Sequence, residues 1–226
     1  GLDLALAQPV NAAPSEARLK VYRIGERLSL SEVLPMLSSM GVEVLDERPY
    51  ELEGVERPTH IYDFGLRYAR TLPDSSFEPF QDAIRAIWTG HNEVDGFNAL
   101  VLGAGLTWRQ AMVLRAYAKY LRQAASTFSQ DYMEDTLRNN VHTTRLLISL
   151  FEARMAPERQ AAGLELTDGI LEELDGALDQ VASLDEDRIL RSFLTVIKAT
   201  LRTNFFQHTE SGEPHGYVSM KFDPQA

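Results

Sequence analysis

The sequence predicts an α+β fold, in which a small strand–helix–strand–strand unit precedes a larger all-α helical domain. Apolar and polar side chains alternate in segments between residues 19 and 69, a pattern typical of strands with one buried face. From Phe77 onward, apolar residues recur every three or four positions, as they do on the buried face of a helix. The change of period predicts a domain boundary near residues 72–76.

Composition limits the classes of protein to which the chain can belong. Its 226 residues with 44% apolar content can bury a sizeable core, and its formal net charge is −11. Such an acidic chain lacks the basic surface that general nucleic-acid binding needs, and no apolar run is long enough to span a membrane. The absence of cysteine excludes disulfides and cysteine-bound metals, and it is typical of the cytoplasm.

The order of the segments predicts four parts. Residues 1–15 are rich in alanine and proline and lack the basic start of a signal peptide, so they are interpreted as a tether to a preceding part of a longer polypeptide. The α+β unit is expected over 16–74 and the helical domain over 75–210. A strand-like segment, YVSMKF, is expected within 211–226.

Within the α+β unit, strands are predicted around 19–24, over 42–52 and over 59–69. The intervening SLSEVLPMLSSMG is a predicted helix with a capping box of Ser29 and Glu32, and Gly41 marks its end. This order predicts an antiparallel or mixed sheet with a helix on one face. The predicted small core consists of Leu19, Val21, Val33, Leu37, Val44, Ile61 and Phe64.

In the helical domain, each predicted helix carries its own apolar face. The segments are FEPFQDAIRAIWTG, TWRQAMVLRAYAKYLRQAA, SQDYMEDTLRNN, TTRLLISLFEARM, LTDGILEELDGALDQVAS and SLDEDRILRSFLTVIKATLRTNFF. The last begins with a second predicted capping box, Ser183 and Glu186, and is expected to bury Phe193 and Ile197.

The stretch NALVLGAGLTWRQ has the first two glycines of a dinucleotide-binding loop, Gly103 and Gly105, after an apolar run. Such a loop needs a third glycine so that its helix can pack closely on a strand. Trp108 occupies that position, and the segments that follow the stretch in the chain, up to the strand-like tail, are all predicted helices. We interpret the two glycines as a break between helices and expect no cofactor site in this chain.

Other chemical motifs are equally unpromising. His208 and His215 flank Glu210 and Glu213, but they lack the regular spacing of metal ligands. Neither a Gly-x-Ser-x-Gly elbow nor a His-Glu-x-x-His motif occurs. We therefore expect no catalytic residue and no metal site in this chain.

Cationic side chains share one face on each of two predicted helices. They are Arg115, Lys119 and Arg122 on one helix and Arg191, Lys198 and Arg202 on the other. One interpretation is an interdomain basic stripe that docks an acidic domain or an anionic metabolite. The favoured alternative is local pairing with the acidic helix that carries Glu165, Glu172, Glu173, Asp175 and Asp179.

The loop before the first helix is the best candidate for a binding site. Free backbone N–H groups near Ser29 and Ser31 could hold a small anion or an amino-acid carboxylate. In the preceding residues, Gly25, Glu26 and Arg27, the arginine could attract such a carboxylate and the glutamate would repel it. The favoured alternative is that this possible effector loop only caps its helix, because every helix start offers such donors.

Part of the α+β unit, SLSEVLPMLSSMGVEVLDERPYEL, resembles an ACT-type regulatory domain, the βαββαβ module that binds amino acids in many metabolic enzymes. Two later stretches, DGFNALVLGAGLTWRQAMVLRAYAKYLRQAASTFSQDYMEDTL and SLDEDRILRSFLTVIKATLRTNFFQ, closely resemble the large bacterial NAD-dependent glutamate dehydrogenases. The tail YVSMKFDPQ resembles the entry into their catalytic region.

The resemblance implies a non-catalytic regulatory or scaffolding segment of an enzyme that oxidatively deaminates L-glutamate to 2-oxoglutarate and ammonia with NAD. Its implied partners are upstream regulatory units and a downstream catalytic core of the same chain, in a homo-oligomer. An amino-acid-sensing module that transmits effector binding through the helices is the alternative. Ligand-binding ACT domains usually carry Pro-Gly-Leu where this loop has Gly25 to Leu28, and a fourth strand is not evident, so architecture rather than sensing is expected.

Overall fold

The computed structural model describes residues 2–124, 126–159 and 163–223, which form two compact units, Gly1–Trp108 and Arg109–Ala226. The first contains β1 (Leu2–Ala7), β2 (Glu16–Ile24), α1 (Leu30–Ser39), β3 (Glu43–Leu52), β4 (Thr59–Arg67), α2 (Phe77–Trp88) and α3 (Leu100–Ala104). The second contains most of α4 (Trp108–Gln123), then α5 (Gln130–Asn139), α6 (Val141–Met155), α7 (Gly163–Leu178), α8 (Leu184–Ala199), β5 (Thr200–Thr203) and β6 (Met220–Phe222). The units divide after α3 instead of at residues 72–76, because α2 packs on the sheet.

The sheet of the first unit shows that the tether prediction is wrong for residues 2–7. The strand order is β1-β2-β4-β3, and all neighbours are antiparallel. Leu4 and Leu6 are buried in the core, whereas the alternate positions of β1 carry Asp3 and small alanines. Those alanines give β1 the composition of a linker, although its alternation is that of a strand. The sheet therefore has a fourth strand, but it precedes the other three in the chain and lies beside β2, whereas the βαββαβ pattern places its last strand after the second helix.

One face of the sheet packs against α1 and α2. Leu19 and Val21 of β2 and Phe64 of β4 share a buried cluster with Val33 and Leu37 of α1. The predicted core is confirmed for these five residues, and Val44 packs against the same cluster. The α2 residues Phe80, Ala83, Ile84 and Ile87 complete it.

Ile61 was wrongly assigned to this core. His60 and Tyr62 are buried on the helix side of β4, so Ile61 between them points to the opposite face. In register, Ile61 pairs with Tyr22 on β2 and with Tyr50 on β3. The error arose because three consecutive residues of this strand are compatible with burial, and composition alone does not decide which of them face inward.

The two predicted capping boxes differ in the structure. Ser183 Oγ accepts a hydrogen bond from the N–H of Glu186 at 3.4 Å, so the N-cap of α8 is confirmed. In the fully described first turn of α1, Ser29 makes no side-chain cap, and its Oγ lies 2.7 Å from Ser31 Oγ. The capping-box prediction for Ser29 is wrong because the two hydroxyls bond to each other.

The glycine-containing stretch forms the predicted break between helices. A 3₁₀ turn over Gly96–Ala99 leads into α3, which ends at Ala104 and is followed by Gly105. Gly105 has φ +66°, in the left-handed region that favours glycine, and its N–H donates to the carbonyl of Leu100. The next helix, α4, begins at Trp108.

In the second unit, Phe193 and Ile197 of α8 are fully buried, as predicted. The helix ends at Ala199, not at Phe206, and Thr200 has an extended conformation with ψ 122°. Strand β5 then pairs antiparallel with β6, the predicted strand-like tail. None of the helices in the described ranges has the length and hydropathy to cross a membrane.

Candidate functional site

Hydrogen bonds from several elements fix the β2–α1 loop. Gly25 has φ +105°, and its N–H donates to the carbonyl of Pro58 at 2.8 Å. Arg23 Nε donates to the carbonyl of Glu26 at 2.7 Å, and the N–H of Leu28 donates to Tyr62 Oη at 2.9 Å. The loop therefore has a defined conformation between β2 and α1.

An open pocket of about 420 Å³ lies beside this loop. Its lining comes from the loop and the start of α1, from β3 and from β4: Arg27, Leu28, Leu30, Glu47, Pro49, Tyr50, Glu51, His60 and Tyr62. A guanidinium can bind a carboxylate, and glutamates can bind an ammonium group. The chemistry of the pocket therefore suits a small zwitterion.

Among the described residues that line the pocket, Arg27 is the one that belongs to the predicted effector loop. Its guanidinium pairs with Glu51 at 2.9 Å, and both side chains are exposed. An exposed ion pair contributes about 0–1 kcal/mol, so a ligand carboxylate can replace Glu51 at low cost. Gly25 and Glu26 shape the loop through their backbone groups, and Ser29 bonds to Ser31.

Sequence reasoning missed the strand residues of this pocket. Glu47, Pro49 and Glu51 alternate on β3, opposite Phe64, Tyr62 and His60 of β4. The available signal was polar residues at alternate positions of a strand, where a sheet covered by helices would place apolar ones.

The structure does not bring the six cations of the predicted basic stripe onto one exposed face. Arg115 is buried, and Arg202 lies on β5 because α8 ends before it. Arg191 Nε bonds to Asp187 at 2.7 Å, and this contact raises its pKa above the ordinary value of arginine. Arg191 also pairs with Asp179 at 3.4 Å, so local pairing with the acidic helix is confirmed for this residue.

A second arrangement, which no sequence pattern predicted, holds the loop between β5 and β6. Arg109 of α4 donates to the carbonyls of His215 at 2.8 Å and Phe205 at 2.6 Å, and its guanidinium lies 4.8 Å from the centre of the Phe205 ring. Burial lowers the pKa of Arg109 below its ordinary value, although arginine stays charged in proteins. The cation therefore holds two distant points of the loop together.

Three further contacts fasten the β5–β6 region. Tyr117 Oη lies 2.8 Å from Thr200 Oγ1, Tyr120 stacks on Phe222 at 4.2 Å, and Arg154 Nη2 donates to the carbonyl of Lys198 at 2.8 Å. Burial raises the pKa of Tyr117 to about 12, so its hydroxyl stays protonated at neutral pH. We call Arg109, Tyr117, Tyr120 and Arg154 the hairpin clamp.

Comparison with known proteins gives consistent matches along the chain. A model described as the glutamate dehydrogenase ACT3 domain matches residues 1–78, one for glutamate dehydrogenase helical motif 3 matches 92–157, and one for the catalytic domain of bacterial NAD-glutamate dehydrogenase matches 173–226. NAD-specific glutamate dehydrogenases of Halomonas elongata and Pseudomonas aeruginosa are 39% and 40% identical over 99% and 100% of the chain. That of Mycobacterium tuberculosis is 42% identical over 84% of it.

The sheet, its covering helices and the following helical unit define an ACT-like α+β module attached to a helical region. The matches assign the family: the chain belongs to the large bacterial NAD-dependent glutamate dehydrogenases. It spans 14% of the length of the first two relatives and 12% of the third. The match to the catalytic domain begins at residue 173, inside α7, and not within 211–226, where the entry to that region was predicted from the resemblance.

Proposed function

We propose that this chain is a scaffolding segment of an NAD-dependent glutamate dehydrogenase that contributes no catalytic residue, although residues 173–226 match the catalytic domain. The full polypeptide oxidatively deaminates L-glutamate to 2-oxoglutarate and ammonia in cytoplasmic amino-acid catabolism, and its downstream catalytic core binds NAD. The partners of this segment are the rest of its own chain and further copies of it in a homo-oligomer. The names of its relatives support the reaction.

The observation that carries the scaffolding role is the hairpin clamp. Arg109, Tyr117, Tyr120 and Arg154 lie in the part similar to helical motif 3, and their partners lie in the part similar to the catalytic domain. Both bonds from Arg109 are partly buried and come from a charged donor, so they hold the loop at two points. The helices thereby fix the geometry of a loop that lies within the part similar to the catalytic domain.

The test is Arg109→Met in the full-length enzyme, with Arg122→Met as the control on the same helix. Arg122 is exposed and carries the same charge. We expect Arg109→Met to increase hydrogen exchange in residues 204–219 and to lower kcat at least tenfold, and Arg122→Met to change neither. Arg109→Lys should recover part of both, because an ammonium can still donate to a carbonyl.

Two results would contradict this proposal in different ways. Unchanged kcat with faster exchange would show that the clamp stabilises the loop without serving catalysis. A full-length protein that does not reduce NAD with L-glutamate would refute the reaction itself.

The pocket beside Arg27 supports a second candidate function, an amino-acid sensor that acts through the helical domain. Its combination of a guanidinium with Glu47 and Glu51 suits an amino acid in zwitterionic form. Calorimetric titration with L-glutamate, a panel of other amino acids and NAD tests it. Saturable binding of one amino acid that Arg27→Gln abolishes and Arg57→Gln preserves would favour sensing, whereas no binding would leave scaffolding.

A further inference from the structure

The sheet face opposite α1 and α2, which we call the open face, carries a contiguous group of apolar side chains. Tyr22, Ile61 and Tyr50 form one row across three strands, and in the next row Ile24 and Leu52 lie on either side of Thr59. Ile24, Tyr50 and Leu52 remain 48%, 51% and 42% exposed. A contiguous apolar patch of this kind, unlike scattered exposed residues, marks an interaction surface.

The rest of the open face is polar and almost neutral. Arg18 bonds to Asp46 and Asp63, and Arg67 pairs with Glu16 and Glu43. The register places four cations, Arg18, Lys20, Arg48 and Arg67, on this face with four acids, Glu16, Glu43, Asp46 and Asp63. Asp3 of the edge strand β1 pairs instead with Arg85 of α2 at 3.5 Å. The chain as a whole has a net charge of −11, so this face repels another acidic molecule much less than the average surface does.

The edges of the sheet are poorly suited to pairing with another strand. On β1, the N–H groups of Leu4 and Leu6 donate to side-chain oxygens, Asp3 Oδ1 at 2.9 Å and Gln81 Oε1 at 3.2 Å. On β3, Pro49 has no N–H and the register shifts between Val44 and Asp46. Such features protect edges from strand addition, which favours association through the face.

We propose that a second copy of this chain packs on the open face, so that two sheets meet face to face in a homodimer. The nearly neutral face offers no excess charge to a basic or acidic partner. A second copy can bury its apolar rows against those of the first and set its arginines against carboxylates. This inference rests on the homo-oligomer in the proposed function.

The size of the face indicates how strong this contact is. Four strands about 4.8 Å apart, with residues spaced about 3.3 Å along each, give an area of roughly 600 Å² per copy. A stable interface buries about 800 Å² per partner. We therefore expect a weak dimer of the 226-residue chain, with a dissociation constant in the micromolar range, that the longer polypeptide reinforces.

Sedimentation equilibrium of the chain over a range of concentrations is the first test. Leu52→Glu should weaken dimerisation at least about tenfold, because it places a charge in the buried apolar row. Leu184→Glu is the matched control, since Leu184 is a leucine with 65% exposure on α8. A chain that stays monomeric at its highest soluble concentration, or a dimer that Leu52→Glu leaves intact, would overturn the proposal.

Cross-linking locates the contact, because the natural chain has no cysteine. Ile24→Cys on the open face should give a dimer with a short bis-maleimide. Leu34→Cys on α1, where the native leucine is 37% exposed, should not. Equal cross-linking of both variants would contradict a face-to-face dimer. Neither test involves the hairpin clamp or glutamate oxidation, so failure here is distinguishable from failure of the proposed function.

Discussion

Two loops of this chain contrast in how they are held. The β2–α1 loop borders an open pocket, and the Arg27–Glu51 pair and the Ser29–Ser31 contact lie in water. The loop between β5 and β6 is fastened by the partly buried cation of Arg109 and by the buried side chain of Asn204. The backbone of the β2–α1 loop is also fixed, because the N–H of Leu28 donates to the buried Tyr62 Oη. The contrast therefore lies in the side chains: exposed pairs can be exchanged for a ligand, whereas the contacts of the β5–β6 loop hold one geometry.

The contacts of the two loops differ in how much free energy they contribute to stability. An exposed ion pair is worth about 0–1 kcal/mol, whereas a hydrogen bond to a charged group contributes about 1.5–3 kcal/mol. Substitutions around the β5–β6 loop should therefore reduce stability more than substitutions in the β2–α1 loop. The following predictions test that order.

The largest effect is expected from Phe151→Ala. Phe151 is buried and its ring contacts Phe205 and Phe206 at centroid distances of 5.3 Å and 6.1 Å, directly beneath the β5–β6 loop. The substitution should lower the free energy of unfolding by about 3–5 kcal/mol, as measured by urea denaturation followed by circular dichroism. A loss below about 1 kcal/mol would show that this aromatic contact is not part of a packed core.

Asn204→Ala should come next. Its Oδ1 accepts from the N–H of Ser219 at 2.7 Å and its Nδ2 donates to the carbonyl of Tyr217 at 3.2 Å. Losing both bonds should cost about 2 kcal/mol and expose the Ser219 amide to faster hydrogen exchange. Asn139→Ala, at an exposed asparagine of α5, is the control. If exchange at Ser219 stayed slow, the loop would be closed by contacts other than this side chain.

The raised pKa of Tyr117 leads us to predict a loss of stability at alkaline pH. Burial raises its pKa from the ordinary 10.0 to about 12, so the folded state keeps a proton that the unfolded state releases first. Its contribution is complete below pH 10 and is lost as the pH rises towards 12, which amounts to about 1 kcal/mol at pH 11. Between pH 9 and pH 11, the unfolding free energy of Tyr117→Phe should therefore fall by about 1 kcal/mol less than that of the unaltered chain. An identical loss in both proteins would exclude Tyr117 as the cause.

The sequence predicts elements that depend on near neighbours and misses contacts that depend on distant ones. Helices such as α2 and α6 carry their own periodicity, so they were predicted close to their observed bounds. Strand β1 was missed because its alternation is hidden by alanines and its partner is β2. Of the pocket, Arg27 was predicted, but Glu47 depends on the register of β3. The Arg109 bonds join residues 96 and 106 positions apart, which no local pattern reveals.

The smallest predicted effects come from Ser29 and Ser183, the two serines that were predicted to form capping boxes. Both were predicted N-caps, and both helix starts are described in the structure. The Ser183 side chain accepts a hydrogen bond from the first turn of α8, whereas the Ser29 side chain accepts none from the first turn of α1. Ser183→Ala should therefore cost about 1 kcal/mol, and Ser29→Ala should stay within about 0.5 kcal/mol of the unaltered chain. Parallel urea denaturation of the two variants gives the comparison directly. Equal losses would mean that Ser29 caps α1 in solution, and the β2–α1 loop would then be held as firmly at its helix as α8 is at Ser183.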